Sequence, residues 1–160
     1  MVKRGGGVKD VRLRELARSG RMDYKDYSLD IIINVCDAMG ANITNTLSEK
    51  AKEILTYMGI KTGIAILSNY CIERKAISKF TIPVETLGWK GYKGAEVAEK
   101  LLEAYRFAKN DVYRAVTHNK GIMNGVDAVC LATGQDWRAI ESAAHAYAAR
   151  SGIYKPLTHY

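Results

Sequence analysis

The sequence predicts an α+β chain in which a sheet-and-helix unit comes first and an all-helical portion follows. Three observations predict it. Leu29, Ile31, Ile33 and Val35 alternate at period two in a β-branched run, the pattern of a half-buried strand. Ile43, Leu47, Ala51, Ile54 and Met58 then recur at helical spacing, directly after a turn that contains a glycine. Beyond Asn110 the alternating runs stop and only helical spacing continues.

Each element has its own warrant. Gly5, Gly6 and Gly7 form a flexible lead-in, and residues 8–16 read as a strand with a short helix as the alternative. Ser19-Gly20 signals a turn. The run 29–36 is the strongest strand in the chain. Residues 37–42 make a tight turn into a helix that Asn42 or Thr44 can cap and that Gly59 stops. Short apolar runs over 63–68 and 77–84 read as two further strands, with Glu73-Arg74-Lys75 as a solvated tip between them and Pro83 marking an edge or an end. Gly88, Gly91 and Gly94 bracket Trp89 and Tyr92 in a glycine-rich loop. Residues 95–109 form an amphipathic helix, with Val97, Leu101, Tyr105 and Ala108 on one stripe and Glu96–Lys100 as an i,i+4 pair. Strand, helix, strand, strand, helix is most of a split βαββαβ unit of the ferredoxin-like type. The strand that would complete it is the basic N-terminal segment or is absent.

Composition bounds the function classes. At 160 residues the chain is one domain, or one and part of another. Its 48% apolar and 26% charged content is that of an ordinary globular protein. No apolar run approaches the roughly 18 residues of a membrane span, so no membrane partner is expected. Cys36, Cys71 and Cys130 are odd in number and widely spaced, which suggests buried free thiols in a reducing, cytoplasmic setting. His118, His145 and His159 fall at no metal-ligand spacing, so no metal is expected. The net charge of +7 is concentrated in residues 1–25, where eight basic residues face three acidic ones. Without interleaved aromatics before Tyr24, this basic segment reads as a solvated surface or a phosphate contact, and no nucleic-acid partner is expected.

Two stretches carry candidate chemistry. The turn Asp37, Ala38, Met39, Gly40, Ala41, Asn42 leads from a strand into a helix, so it presents free backbone N–H groups and the positive end of a helix dipole, which suit a phosphate. A plain β–α connection would look the same. Residues 117–125 concentrate Thr117, His118, Asn119, Lys120 and Asn124 around Gly121 and Gly125, at the edge of apolar runs. Such an inventory suits a small-molecule site or a polar connection entering a short buried helix over Ile122, Val126, Val129 and Cys130. Asp136 stands where an N-cap belongs, ahead of a helix packed through Ile140, Ala143, Ala144 and Tyr147 and stopped by Gly152.

Read together, Asp37-Ala38-Met39-Gly40-Ala41-Asn42, the run from Arg114 through Thr117-His118-Asn119-Lys120-Gly121-Ile122-Met123-Asn124-Gly125, and Leu131-Ala132-Thr133-Gly134-Gln135-Asp136 closely resemble hydroxymethylglutaryl-CoA reductase, most of all its class II form. The resemblance runs from about Gly5 to Thr158. It implies NAD(P)H-dependent reduction of 3-hydroxy-3-methylglutaryl-CoA to mevalonate and CoA, with NADPH or NADH as cofactor and two equivalents consumed. It implies Lys120 as the catalytic lysine and Asp136 as its aspartate, with Asn69, Arg114 and Asn124 on the substrate. It implies that Asp37, Ala38, Met39, Gly40, Ala41 and Asn42 bind the cofactor. It further implies a small nucleotide-binding domain over 1–90, a junction helix over 95–109, and the helical part of a truncated substrate-binding domain over 110–160. In the family a catalytic glutamate lies upstream of the matched motifs and a histidine downstream, and His118, His145 and His159 do not match the latter. The expectation is therefore a partial chain, poorly active in isolation, from an enzyme that works as a homo-oligomer. The alternative is a non-catalytic nucleotide- or CoA-binding module derived from the same fold.

Overall fold

The computed structural model describes residues 1–16 and 25–160. The turn expected at Ser19-Gly20 lies outside the described residues. The chain is a mixed α/β protein that divides into two compact units, Met1–Leu67 and Ser68–Tyr160.

The first unit is an antiparallel hairpin followed by a helix. Strand β1 spans Gly7–Glu15, strand β2 Tyr27–Asn34, and helix α1 Ala41–Tyr57. The N-terminal segment is thus a strand. The register shifts between Val8 and Asp10, which places a bulge at Lys9. The bulge keeps Val8 on the same face as Val11 and Leu13, opposite Ile33, Ile31 and Leu29. That face is apolar, and Val11, Leu13 and Leu29 are exposed on it. The opposite face holds charge. Arg14 donates two hydrogen bonds to Asp30, at 2.9 and 3.2 Å, and Arg12 pairs with Asp10 at 2.6 Å. The Arg14 hydrogen bond, with that of the Ser28 hydroxyl, holds the Asp30 carboxyl below its usual value. Arg12, Arg14 and Lys25 of the N-terminal basic segment thus find carboxylate partners on their own hairpin.

Helix α1 starts after Gly40 and ends before Gly59, whose φ of +80° supplies the left-handed stop. Neither Asn42 nor Thr44 caps its start. The Thr44 hydroxyl instead donates to the Gly40 carbonyl at 2.9 Å. The expected strand over 63–68 is not a strand. It follows α1 as an extended segment, tied to it by the Leu67 N–H donating to Asn45 Oδ1 at 2.9 Å.

The second unit is helical. The expected strand over 77–84 is also absent; residues 75–83 carry no regular structure and Val84–Leu87 form a 3-10 turn. Both corrections have one cause: an apolar β-branched run becomes a strand only when a neighbouring strand pairs with it. Neither run finds one among the described residues. The glycine-rich loop closes as a two-residue turn between Trp89 and Tyr92, with Lys90 and Gly91 both at positive φ. Helix α2 spans Gly94–Asn110, α3 Val112–Ala132 and α4 Trp137–Ala148. The start of α2 lies against the 3-10 turn, and a Cβ on Gly94 would stand 1.8 Å from the Val84 carbonyl oxygen. The expected Glu96–Lys100 pair does not form. Glu96 accepts the Lys93 N–H at the helix start, and Lys100 pairs with Glu103 at 2.9 Å. Asp111 ends α2 and caps α3, accepting the Arg114 N–H at 2.7 Å. Among the described residues the buried side chains are Ala108 of α2, Ala115, Asn119, Met123 and Cys130 of α3, and Ala148 of α4. Small residues at these positions let the helices approach closely. Of the three cysteines expected to be buried only Cys130 is; Cys36 is half-buried and Cys71, in the segment without regular structure, is exposed.

Candidate active site

In the first unit the turn before α1 is shaped by backbone conformation. Cys36 sits at φ +55° and Gly40 at φ +102°. A Cβ on Gly40 would meet Val35 Cγ2 at 2.9 Å, so only glycine fits there without displacement. No side chain caps α1, so the first-turn N–H groups of this 17-residue helix keep their capacity for an anion. A cavity of about 240 Å³ adjoins the turn, lined by Arg4, Val35, Cys36, Asp37, Ala38 and Ile43 among others. Met39 projects at the surface, and Ala41 and Asn42 form the first turn of the helix.

In the second unit the polar stretch is not a loop. Residues 117–125 lie inside α3, and Gly121 and Gly125 are ordinary helical positions with open space where a Cβ would stand. The helix divides this stretch by face. Ala115, Asn119, Met123 and Cys130 point into the core. Lys120 and Asn124, four residues apart, share an exposed stripe. Lys120 takes no hydrogen bond or ion pair among the described residues. Asp127 follows on the same stripe, seven residues after Lys120. Its Oδ1 is the buried side-chain polar atom without a hydrogen-bond partner among the described residues. Its spacing of i, i+4, i+7 with Lys120 and Asn124 is present in the sequence but becomes meaningful only once residues 117–125 are known to lie inside a continuous helix.

Arg114 lies on a third face, with His118. These two line a cavity of about 320 Å³ with Thr117, Tyr105 of α2 and Tyr160. Burial, with the Arg114 guanidinium adding to it, pushes the His118 imidazole down from its usual value. The ring shares a 2.7 Å hydrogen bond with the Thr158 hydroxyl. Asp136 caps α4, accepting the Ala139 N–H at 3.1 Å. No ion pair joins it to Lys120 among the described residues. Asn69 is exposed near the start of the second unit. Arg114, Lys120 and Asn124 are thus brought onto one helix, with Asp136 at the head of the next. Among the described residues no group of His, Cys, Asp or Glu could hold a metal ion. No described helix is long and apolar enough to cross a membrane.

Comparison with known proteins places these features in one family. The sequence profile of hydroxymethylglutaryl-coenzyme A reductase matches residues 1–160. The 3-hydroxy-3-methylglutaryl-coenzyme A reductase of Archaeoglobus fulgidus is 43% identical over 162 residues, covering 100% of this chain and 35% of that protein. A solved 3-hydroxy-3-methylglutaryl-coenzyme A reductase of Streptococcus pneumoniae superposes with a TM-score of 0.76 at 39% identity, covering 98% of this chain and 41% of that one. A class II reductase structure from the same organism, bound to NADPH in open conformations, gives a TM-score of 0.74 at 39% identity, covering 98% of this chain and 37% of that one. The chain belongs to the hydroxymethylglutaryl-coenzyme A reductase family. It spans about a third of the length of the curated relatives it matches.

Proposed function

We propose that these 160 residues carry the lysine and the dinucleotide-binding turn of a reductase that converts 3-hydroxy-3-methylglutaryl-CoA to mevalonate and CoA. The observation that carries this reading is the exposed Lys120–Asn124 stripe on the helix that also places Arg114 in a cavity. NADPH or NADH, when bound, supplies the hydride. The Asp37–Asn42 turn fits such a cofactor, because its uncapped helix start and adjoining cavity offer N–H donors and space for phosphate oxygens.

The residues divide the work by charge. The Lys120 ammonium stabilises the oxyanion that develops on the thioester carbonyl, and later on the aldehyde carbonyl, as each is reduced. Asp136, which caps α4 in this structure, would hydrogen-bond and orient that ammonium in the assembled site. Arg114 meets the free carboxylate of the substrate, for which a guanidinium has matching geometry. Asn124 and Asn69 hold the substrate's polar groups. The chain divides functionally into a nucleotide-binding part over 1–90, of which the β1–β2 sheet and α1 are formed here, and a helical part of the substrate-binding domain over 110–160, with 95–109 at their junction. The complete enzyme is a cytoplasmic homo-oligomer, a setting that agrees with three free thiols.

Two measurements test this. The 160 residues alone should oxidise NADPH or NADH with hydroxymethylglutaryl-CoA only at background rate. Turnover should appear when they replace the matching segment of the Archaeoglobus fulgidus relative. A chimera that folds, binds both ligands and never turns over would overturn the catalytic reading in favour of a binding module. In that chimera Gly40→Ala should weaken cofactor binding about tenfold, because holding a side chain at this φ costs about 1–3 kcal/mol. Fluorescence titration with NADPH and NADH reads the change, and unaltered affinity would remove the turn from the site.

A further inference from the structure

Asn119 is the one buried polar side chain in the chain's described core, and both ends of its amide are used. Its Nδ2 donates to the Lys155 carbonyl at 2.9 Å, and its Oδ1 accepts the Leu157 N–H at 2.9 Å. The amide thus pairs with the C-terminal segment as a neighbouring strand would. That segment is held by α4 at its other end. The Lys155 N–H donates to the Ala148 carbonyl at 3.1 Å, and the Tyr154 hydroxyl shares a 2.7 Å hydrogen bond with His145 Nδ1. The segment therefore bridges the middle of α3 to the end of α4, and Asn119 is its attachment to α3. Lys120 is the next residue on α3, and Asp136 heads α4.

We propose that Asn119 is a positioning residue: by clamping the segment Lys155–Leu157 between α3 and α4, it sets the relative pose of the helices that carry Lys120 and Asp136. This rests on the reading of Lys120 and Asp136 as the catalytic pair. An aliphatic residue could fill the same space but would leave the Lys155 carbonyl and the Leu157 N–H without partners, and the segment would detach from α3. Displacement of a catalytic group by about 1 Å costs about 10²-fold in rate.

The test is made in the complete chimeric reductase carrying these 160 residues. Asn119→Ala should lower kcat about tenfold to 10²-fold, with the KM for hydroxymethylglutaryl-CoA within about threefold of the parent and helix content unchanged. Asn119→Asp separates clamping from packing, because the two side chains are isosteric. An ionised carboxylate repels the Lys155 carbonyl, whereas a protonated one donates to it and still accepts from Leu157. Burial and the facing carbonyl raise the pKa of that carboxyl, so the competent neutral form is recovered as pH falls. The ratio of variant to parent kcat should therefore rise toward one on acidification. His118, His145 and Glu141, which face or adjoin the clamp from α3 and α4, are common to both proteins, so the ratio isolates the substituted carboxyl. A flat ratio near one, or a folded Asn119→Ala with kcat within twofold of the parent, overturns the proposal. Full activity of Lys120→Ala in the same chimera would instead remove the catalytic reading beneath it, so the two failures are told apart.

Discussion

Lys120→Ala is expected to lower kcat about 10²–10³-fold in a complete reductase carrying these residues, the cost of removing one group aimed at a developing oxyanion. The change should leave folding almost untouched. The side chain is exposed and has no hydrogen bond or ion pair among the described residues, so a stability effect within about 0.5 kcal/mol is expected. That separation makes the result readable. Steady-state oxidation of NADPH or NADH measures the rate, and a denaturation midpoint confirms that the protein is intact. Activity retained with an unchanged midpoint would mean that the lysine does not face the reacting carbonyl. Lys120→Arg should not restore the rate. A guanidinium keeps the charge but places it in a planar fork of different reach.

Gly94→Ala should be the most damaging small substitution in the second unit. The added methyl would stand 1.8 Å from the Val84 carbonyl oxygen and 2.8 Å from its carbon, both backbone atoms that cannot rotate away. Relief requires moving the start of α2 off the 3-10 turn at Val84–Leu87. Overpacking of this kind costs about 3 kcal/mol, a large share of the total for a unit of this size. Urea denaturation measures it. Gly121→Ala is the matched control, because nothing stands within 4 Å of its would-be Cβ inside α3. That change should be neutral or stabilising, by up to about 1 kcal/mol. If both substitutions behaved alike, the close approach at Gly94 would not exist in solution.

These two glycines also show what the sequence could and could not convey. Helices announce themselves through local spacing, so α1, α2 and α4 were legible, as was Asp136 as a cap. The strands β1 and β2 were legible from their alternation, but not their antiparallel pairing with each other, which depends on register across the connection. The runs over 63–68 and 77–84 have the same composition but no pairing partner, and pairing is not a local property. At 117–125 glycine suggests a break in the chain, whereas Gly121 and Gly125 lie within an unbroken helix whose ends are fixed by Asp111 and Gly134. Motif order gave Lys120, Asn124 and Arg114 as candidates without the helix. What it could not give was the division of labour among faces: Asn119 inward, Lys120 outward, Arg114 and His118 toward a cavity. Asp127 was missed for the same reason.

The phase of α3 carries a consequence for how this protein can vary. Three neighbours, His118, Asn119 and Lys120, have three separate destinations, and each residue along a helix turns by about 100°. An inserted or deleted residue between the start of α3 and Lys120 would rotate the remainder of the helix by that angle relative to the anchored part. The ammonium would then be driven toward the core, or the clamp amide toward water. Drift in the length of this segment is therefore closed to the protein, even where the individual side chains are surface-exposed and replaceable. Substitution along the exposed Tyr113 and Val116 surface is expected to cost little, whereas a change in the count of residues from Asp111 to Lys120 is expected to cost the site.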